Sequence, residues 1–373
     1  MNRTAGRLLT GEINPMREAA FISDSNNGSH PARQRTQVLT LRAGEWVEVL
    51  SAEEIFSTLD SNHCLDGLPF MPEMLQYCGR RFRVFKSAHK TCDTIESFAI
   101  RRMSSAVHLE GLRCDGEGHG GCQAGCLLFW KEAWLRRVSN GDSLATSSDR
   151  SREDALAEEI ARLHASTRLS SSEPEATERF RCQATEVLNA TTEVRKRDRW
   201  NPMFYLRDLT SGNVGFFDFI RFGVLAAFNA IALYWSGRRY PQVCGRAGNK
   251  TPASQLNLQA GEVVHVRSKD AIMATLNSEQ RNRGLYFDVE MTPFCQNGEF
   301  KVLKRVERII DEKTGRMLKI PNACLILDGV VCSGRLSSYR MFCPRSIYPY
   351  WREIWLERAG DKPQPIASGR RTA

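Results

Sequence analysis

The chain predicts an α+β protein of two duplicated small SH3-like β-barrel modules joined by a helical insert. Three observations carry that expectation. First, Leu41 to Cys78 and Leu258 to Cys295 run in parallel at an offset of 217 residues, with no gap. Leu41-Arg42-Ala43-Gly44-Glu45-Trp46-Val47-Glu48-Val49 answers Leu258-Gln259-Ala260-Gly261-Glu262-Val263-Val264-His265-Val266. Second, the closing segments agree: Phe129-Trp130-Lys131-Glu132-Ala133-Trp134-Leu135 answers Tyr350-Trp351-Arg352-Glu353-Ile354-Trp355-Leu356. Third, the stretches between these blocks read as short strands parted by turn residues, within about 100 residues per copy, as in small barrels. A period above 200 residues is too long for a solenoid and indicates two domains.

In the first copy, Trp46-Val47-Glu48-Val49 alternates as a half-buried strand does. Ser51-Ala52-Glu53-Glu54 before Ile55 is a capping-box pattern, so a short helix is expected to run to Leu59. Asp66-Gly67 and Gly79 mark turns, and Phe82–Phe85 and Ala106–Leu109 read as further strands. The tryptophan-rich end reads as a strand or a short helix. Arg152 to Ala165 is an amphipathic helix with Leu156, Ile160 and Leu163 on one face. Ser172-Glu173-Pro174-Glu175 opens another helix, expected to run to about Leu188. The stretch from Trp200 to Leu206 reads as a loop.

The resulting organisation is a disordered tail at 1–36, β-module 1 at 37–138, linker and helical insert at 139–255, β-module 2 at 256–359 and a tail at 360–373. Residues 214–235 are almost wholly apolar, but Asp218 and Arg221 interrupt them, and the uncharged run from Phe222 to Trp235 is shorter than the roughly 20 residues a membrane span needs. The segment reads as a helix buried between the modules, or as one lying on a bilayer with Trp235 and Arg238-Arg239 among the headgroups.

The net charge is +9. The basic residues are scattered, with neither an aromatic-plus-basic RNA signature nor a recognition helix, so nucleic acid is the less favoured partner. No P-loop, dinucleotide-binding glycine string, nucleophile elbow or His-Glu-x-x-His motif occurs. The N-terminal stretch lacks a signal-peptide h-region, which points to the cytoplasm. Twelve cysteines in a reducing compartment favour metal or reactive thiols over disulfides.

Matching the two copies pairs Cys78 with Cys295, Cys114 with Cys332, and Cys122 with Cys343. In the first copy Cys114, His119, Cys122 and Cys126 form a C-x4-H-x2-C-x3-C loop containing five glycines. Zinc takes four such ligands tetrahedrally, and an iron–sulfur cluster is the alternative. The second copy has no matching His, and Ile347 stands where Cys126 would be. Each module therefore uses its three-cysteine set, with an open metal position, or only the first binds metal. For Cys78 and Cys295 the competing reading is core packing. Of the matched acids, Glu45/Glu262, Glu73/Glu290 and Glu132/Glu353 are either partners of arginines such as Arg137/Arg358 or bases beside a metal.

The Leu-Glu/Asp-Gly string before Cys114 and Cys332, and the closing Cys343-Pro-Arg-Ser-Ile-Tyr348-Pro-Tyr350-Trp351-Arg-Glu353-Ile-Trp355-Leu356, resemble uncharacterised bacterial tandem-repeat proteins. The resemblance implies a bacterial, cytosolic origin and assigns no activity. The expected function is a metal-site-bearing binding or scaffold protein of a biosynthetic pathway. Its partner would be a protein or small molecule, and 214–235 offers a peripheral membrane contact. A zinc or iron–sulfur enzyme with an open metal position, and a basic nucleic-acid-binding tandem barrel, are the alternatives.

Overall fold

The computed structural model describes residues 39–97, 99–138, 150–169, 178–195, 197–198, 201–337 and 340–360. Both terminal tails and the Ser/Asp linker after 138 lie outside the described residues. The fold is mixed α and β, with antiparallel sheets.

The first sheet contains β1 (Trp46–Val49), β2 (Arg81–Ser87), β3 (Ala106–Leu109), β4 (Trp130–Lys131) and β5 (Leu135–Arg137), in the order β4-β3-β2-β1-β5. The second contains β6 (Val263–Val266), β7 (Glu299–Ile310), β8 (Met317–Leu327), β9 (Trp351–Arg352) and β10 (Leu356–Arg358), in the order β9-β8-β7-β6-β10. Position for position, the two orders are the same. Registers agree as well: Val47 faces Phe82 and Arg137, and Val264 faces Phe300 and Arg358. Among the described residues no strand pairing closes either sheet into a barrel.

Equivalent side chains tie each sheet. Trp134 Nε1 donates to Thr58 Oγ1 at 3.1 Å, and Trp355 Nε1 donates to Thr275 Oγ1 at 2.9 Å. Phe70 meets Trp134 edge-on at 5.3 Å, as Phe287 meets Trp355. Glu132 accepts the backbone N–H groups of Thr40 and Leu41, and Glu353 those of Leu256, Asn257 and Leu258. Glu45 pairs with Arg137 and Glu262 with Arg358. These matched acids are therefore structural. The tryptophan-rich ends are neither one strand nor one helix: each is a strand, one turn of 3-10 helix and a second strand.

The short helix after β1, α1 (Ala52–Phe56), carries the expected capping box, Ser51 with Glu54. The insert holds α2 (Arg150–Ser166), whose Leu163 is buried in the first core. The expected helix ending near Leu188 does not form within the described residues, where Arg179–Phe180 is a strand and 183–190 are turns. There the Gln183 side chain is committed to tertiary bonds, accepting from Phe129 N–H and donating to the carbonyls of Phe129 and Pro69. The expected loop near 200–206 is instead the start of α3 (Pro202–Thr210), capped by Asn201 with Pro202 at the first turn. From α3, buried Asp208 holds Lys90 Nζ at 2.5 Å and lies 3.3 Å from His89 Nε2.

The next helix, α4 (Phe216–Ser236), ends at Gly237 in the left-handed conformation. It is not buried between the modules. Phe219, Phe222 and Ala226 pack on Met341 and Phe342, while Phe217 (86%), Tyr234 (85%) and Trp235 (80%) are exposed. The body offers this helix one side only.

Candidate metal centre

The loop after β3 begins at Cys114, whose N–H donates to the carbonyl of Cys126 at 2.8 Å and so closes the loop on itself. Its glycines are sterically required. Gly116 has φ of +84°, and a Cβ there would lie 2.0 Å from the carbonyl oxygen of Cys122. Gly120 has φ of +73° and lies against the Phe180 ring, which a Cβ would meet at 2.4 Å. The loop can therefore coil tightly enough to turn its sulfurs inward.

A small cavity inside this coil is lined by Cys114, His119, Cys122, Cys126 and Cys182, with Glu73 on its wall. Three separate elements supply these groups: the loop itself, the 3-10 turn Pro72–Tyr77, which carries Glu73, and the insert, which carries Cys182. A fourth wall comes from the β7–β8 hairpin of the other sheet, where the N–H of Ile310 donates to Cys122 Sγ at 3.4 Å.

His119 lies between two neighbours. Its Nε2 is 3.4 Å from Cys114 Sγ, and its Nδ1 is 3.6 Å from Glu73 Oε1. Neither Glu73 oxygen nor His119 Nδ1 has a hydrogen-bond partner among the described residues, although both side chains are buried. Burial raises the Glu73 carboxyl above its usual range and lowers His119 to about 4, which keeps the imidazole neutral and free to act as a ligand. It also pushes up the thiols of Cys114 and Cys182, and that of Cys126 to about 12. The buried carboxyl of Glu73 and imidazole of His119, with polar atoms unpartnered, are costly as they stand, whereas the neutral thiols pack as small hydrophobes. Metal binding would deprotonate the thiols and offset that cost.

Among the described residues, the one trio of potential ligand atoms lying within 4.8 Å of one another is Glu73, Cys114 and His119. No three of the four cavity sulfurs come that close. In a tetrahedral zinc–thiolate site the sulfurs are about 3.8 Å apart.

The other sequence-derived candidates fall elsewhere. Cys78 packs on the first core and Cys295 on the second, each thiol raised to about 11 by burial. Neither lines the cavity at Cys114 and Cys122 or the larger one at Cys332 and Cys343. Cys332 and Cys343 line a separate, larger cavity together with Cys92. There Cys343 accepts the Cys92 N–H at 3.2 Å. Burial opposes ionisation of Cys343, but hydrogen bonding from Cys92 and the nearby Arg345 guanidinium bring it down to about 6. The hydrogen bond to Cys343, then burial, hold Cys92 far above its ordinary value.

Sequence reasoning missed Cys182, Cys92 and Arg345. Cys182 and Cys92 have no cysteine counterpart in the other copy, so matching the copies discarded them. The signal that was available is their chemistry: each lies outside the loops, but on a segment that must pack against one. No family model matches the chain, and neither a curated protein nor a solved structure does.

Proposed function

We propose that the chain is an iron–sulfur protein in which Cys114, Cys122, Cys126 and Cys182 ligate one cluster. The cluster lies inside the first of two SH3-like modules that arose by duplication. The observation that carries this reading is the convergence of four cysteines on one interior cavity, no three of whose sulfurs lie within 4.8 Å of one another. His119 and Glu73 sit beside the cluster, with the imidazole turned toward the Cys114 sulfur and the carboxylate toward the other ring nitrogen. The Ile310 N–H on the Cys122 sulfur adds a hydrogen bond of the kind that tunes cluster potential.

Glu73, His119 and Cys114 also have the order of an acid–base–nucleophile chain. Their burial argues against that use, because the His119 and Glu73 side chains are 1% and 2% exposed and leave a substrate no approach. The centre then acts as a staple joining the loop, the insert and the second sheet's hairpin. That suits a binding or scaffold protein. The test is anaerobic purification of the full chain with iron and acid-labile sulfide counted per chain. Both are expected in equal amounts and are expected to fall in Cys182→Ala and Cys126→Ala. A chain with neither iron nor sulfide contradicts the reading.

Two further observations favour companion readings. The Glu73–Cys114–His119 trio has a spacing suited to a single zinc, so stoichiometric zinc without sulfide would replace the cluster by that ion. Helix α4 is 21 residues long and largely apolar, most of its large apolar side chains are exposed, and Arg238-Arg239 follow it, which supports docking on an anionic lipid surface. Flotation with anionic vesicles is expected to carry the wild-type chain and to lose Phe217→Ser/Trp235→Ser. Equal flotation of both contradicts the membrane contact.

A further inference from the structure

Cys92 and Cys343 are 251 residues apart in the chain, yet their thiol groups are hydrogen-bonded to each other. Both are held in place from outside the pair. Cys92 ends the strand Lys90–Cys92, and Lys90 at its start is fixed by buried Asp208. Cys343 lies in the loop that Glu290 and Asp288 fasten through Leu336, Ser337 and Arg340. That loop coils so closely on Cys343 that a Cβ at Gly334 would meet its backbone nitrogen at 2.7 Å. On one side the pair packs with Ile100, Val194 and Phe204. On the other it lines a cavity of about 880 Å³.

The two sulfurs are not equivalent. Cys343 Sγ accepts the Cys92 N–H at 3.2 Å, the Arg345 N–H and the Cys92 thiol. Donors gathered around one sulfur favour the thiolate, which is the form that attacks. Cys92 donates to that sulfur, and this bond, then burial, keeps its own proton on. The Arg345 guanidinium lies nearby, its charge shared with Glu312 at 3.1 Å. Cys332 lines the same cavity, but burial pushes its thiol up to about 12. A thiolate beside a protonated thiol is the arrangement of an oxidisable cysteine with its resolving partner. Cys343 is 4% exposed, so a reagent the size of hydrogen peroxide reaches it from the cavity where a bulky disulfide does not.

We infer that Cys343 and Cys92 form a redox-active pair that reduces a small hydroperoxide, with Cys343 as the attacking sulfur and Cys92 as the resolving one. The Cys343 thiolate attacks one peroxide oxygen and the O–O bond breaks. The other oxygen leaves as hydroxide and takes a solvent proton to become water. Cys343 is now a sulfenic acid, having passed two electrons to the peroxide. The Cys92 sulfur then attacks the Cys343 sulfur, the S–O bond breaks, and hydroxide departs with the Cys92 proton as a second water. The product is a Cys92–Cys343 disulfide, which an external dithiol returns to two thiols by exchange. None of the residues of the proposed cluster takes part.

For the test, the full chain is reduced with dithiothreitol, freed of it and exposed to hydrogen peroxide for a series of times. Acid quenching, alkylation and peptide mass spectrometry then read each cysteine. In wild type, free Cys92 and free Cys343 are expected to disappear together into one cross-linked peptide pair, and dithiothreitol restores both. The exposed Cys244 is the internal reference, expected to oxidise about tenfold more slowly than Cys343. In Cys92→Ser, Cys343 is expected to stop at the sulfenic acid and to be captured by dimedone. Cys343→Ser is expected to leave Cys92 free, and Cys332→Ser to form the disulfide at the wild-type rate. Cys92 and Cys343 still free in wild type once Cys244 is fully oxidised overturns the inference, and needs no variant to fold. A Cys332–Cys343 disulfide in wild type, or oxidation of Cys92 in Cys343→Ser, overturns it as well.

Discussion

The loops after β3 and β8 occupy the same place in two sheets of the same strand order, yet they are held in opposite ways. In the second loop, buried Glu290 accepts Ser333 Oγ at 2.7 Å and the backbone N–H groups of Leu336 and Ser337 at 2.7 and 2.9 Å. Arg340 adds a 2.6 Å pair with Asp288. In the first loop the matching carboxylate, Glu73, has only the Cys114 thiol and the His119 ring beside it, and that ring has an unpartnered nitrogen. The two sheets thus hold a matched buried carboxylate in two ways, one with backbone and hydroxyl donors and one without them. The difference teaches where the proposed metal would stand in for hydrogen-bond donors and where the backbone already supplies them.

The largest expected contrast lies beneath the loops. Lys90 of the first module is fully buried on Asp208, whereas Arg308, its sequence equivalent, is exposed. Asp208→Ala strands a buried ammonium and is expected to cost about 3–5 kcal/mol in urea unfolding. Arg308→Ala is expected to stay within about 1 kcal/mol. Similar costs for the two would break the contrast.

Next is the carboxylate pair itself. Glu290→Ala orphans two backbone donors and a hydroxyl and is expected to cost about 3 kcal/mol, while Glu73→Ala in metal-free protein is expected to cost under about 1 kcal/mol. Metal loading should raise the cost of Glu73→Ala and leave that of Glu290→Ala unchanged. Paired denaturation curves with and without metal read both numbers.

A smaller effect is pH dependence confined to one module. His108 is buried on the Leu128 carbonyl, and burial lowers it to about 3; its counterpart in the second sheet is Ile326. Its folded pKa lies below the unfolded value of about 6.5, so the unfolded chain binds the extra proton. Stability is then full above pH 6.5 and falls as the pH drops toward 3. The loss by pH 5 is about 2 kcal/mol, from 1.5 units at about 1.36 kcal/mol each. Hydrogen exchange at pH 7 and pH 5 should show protection falling around β3 while β8 holds. An equal fall in both sheets would mean the acid response has another source.

Much of this was legible in the sequence, for physical reasons. The strands around Val47 and Val264, the Ser51 capping box and the matched glycines are local signals, so the repeat exposed them. The coiled loop at 114–126 was legible because glycines and cysteines crowd one short stretch. The remainder was not, because it depends on distant segments. Gln183 draws 183–190 into tertiary bonds in place of a helix, and nothing local announces that. Cys182 and Cys92 enter their cavities from other elements, and matching the two copies discarded them for lacking counterparts. The apolar run at 214–235 was plain, but which side of α4 meets the body depends on Met341 and Phe342, more than 100 residues away.

X-ray absorption at the iron and zinc edges of the anaerobically purified full chain tests the central claim most directly. The first centre predicts an iron edge with a sulfur shell and a nearby iron scatterer, diminished in Cys182→Ala. A zinc edge with mixed nitrogen and sulfur neighbours, or no metal at either edge, would contradict it.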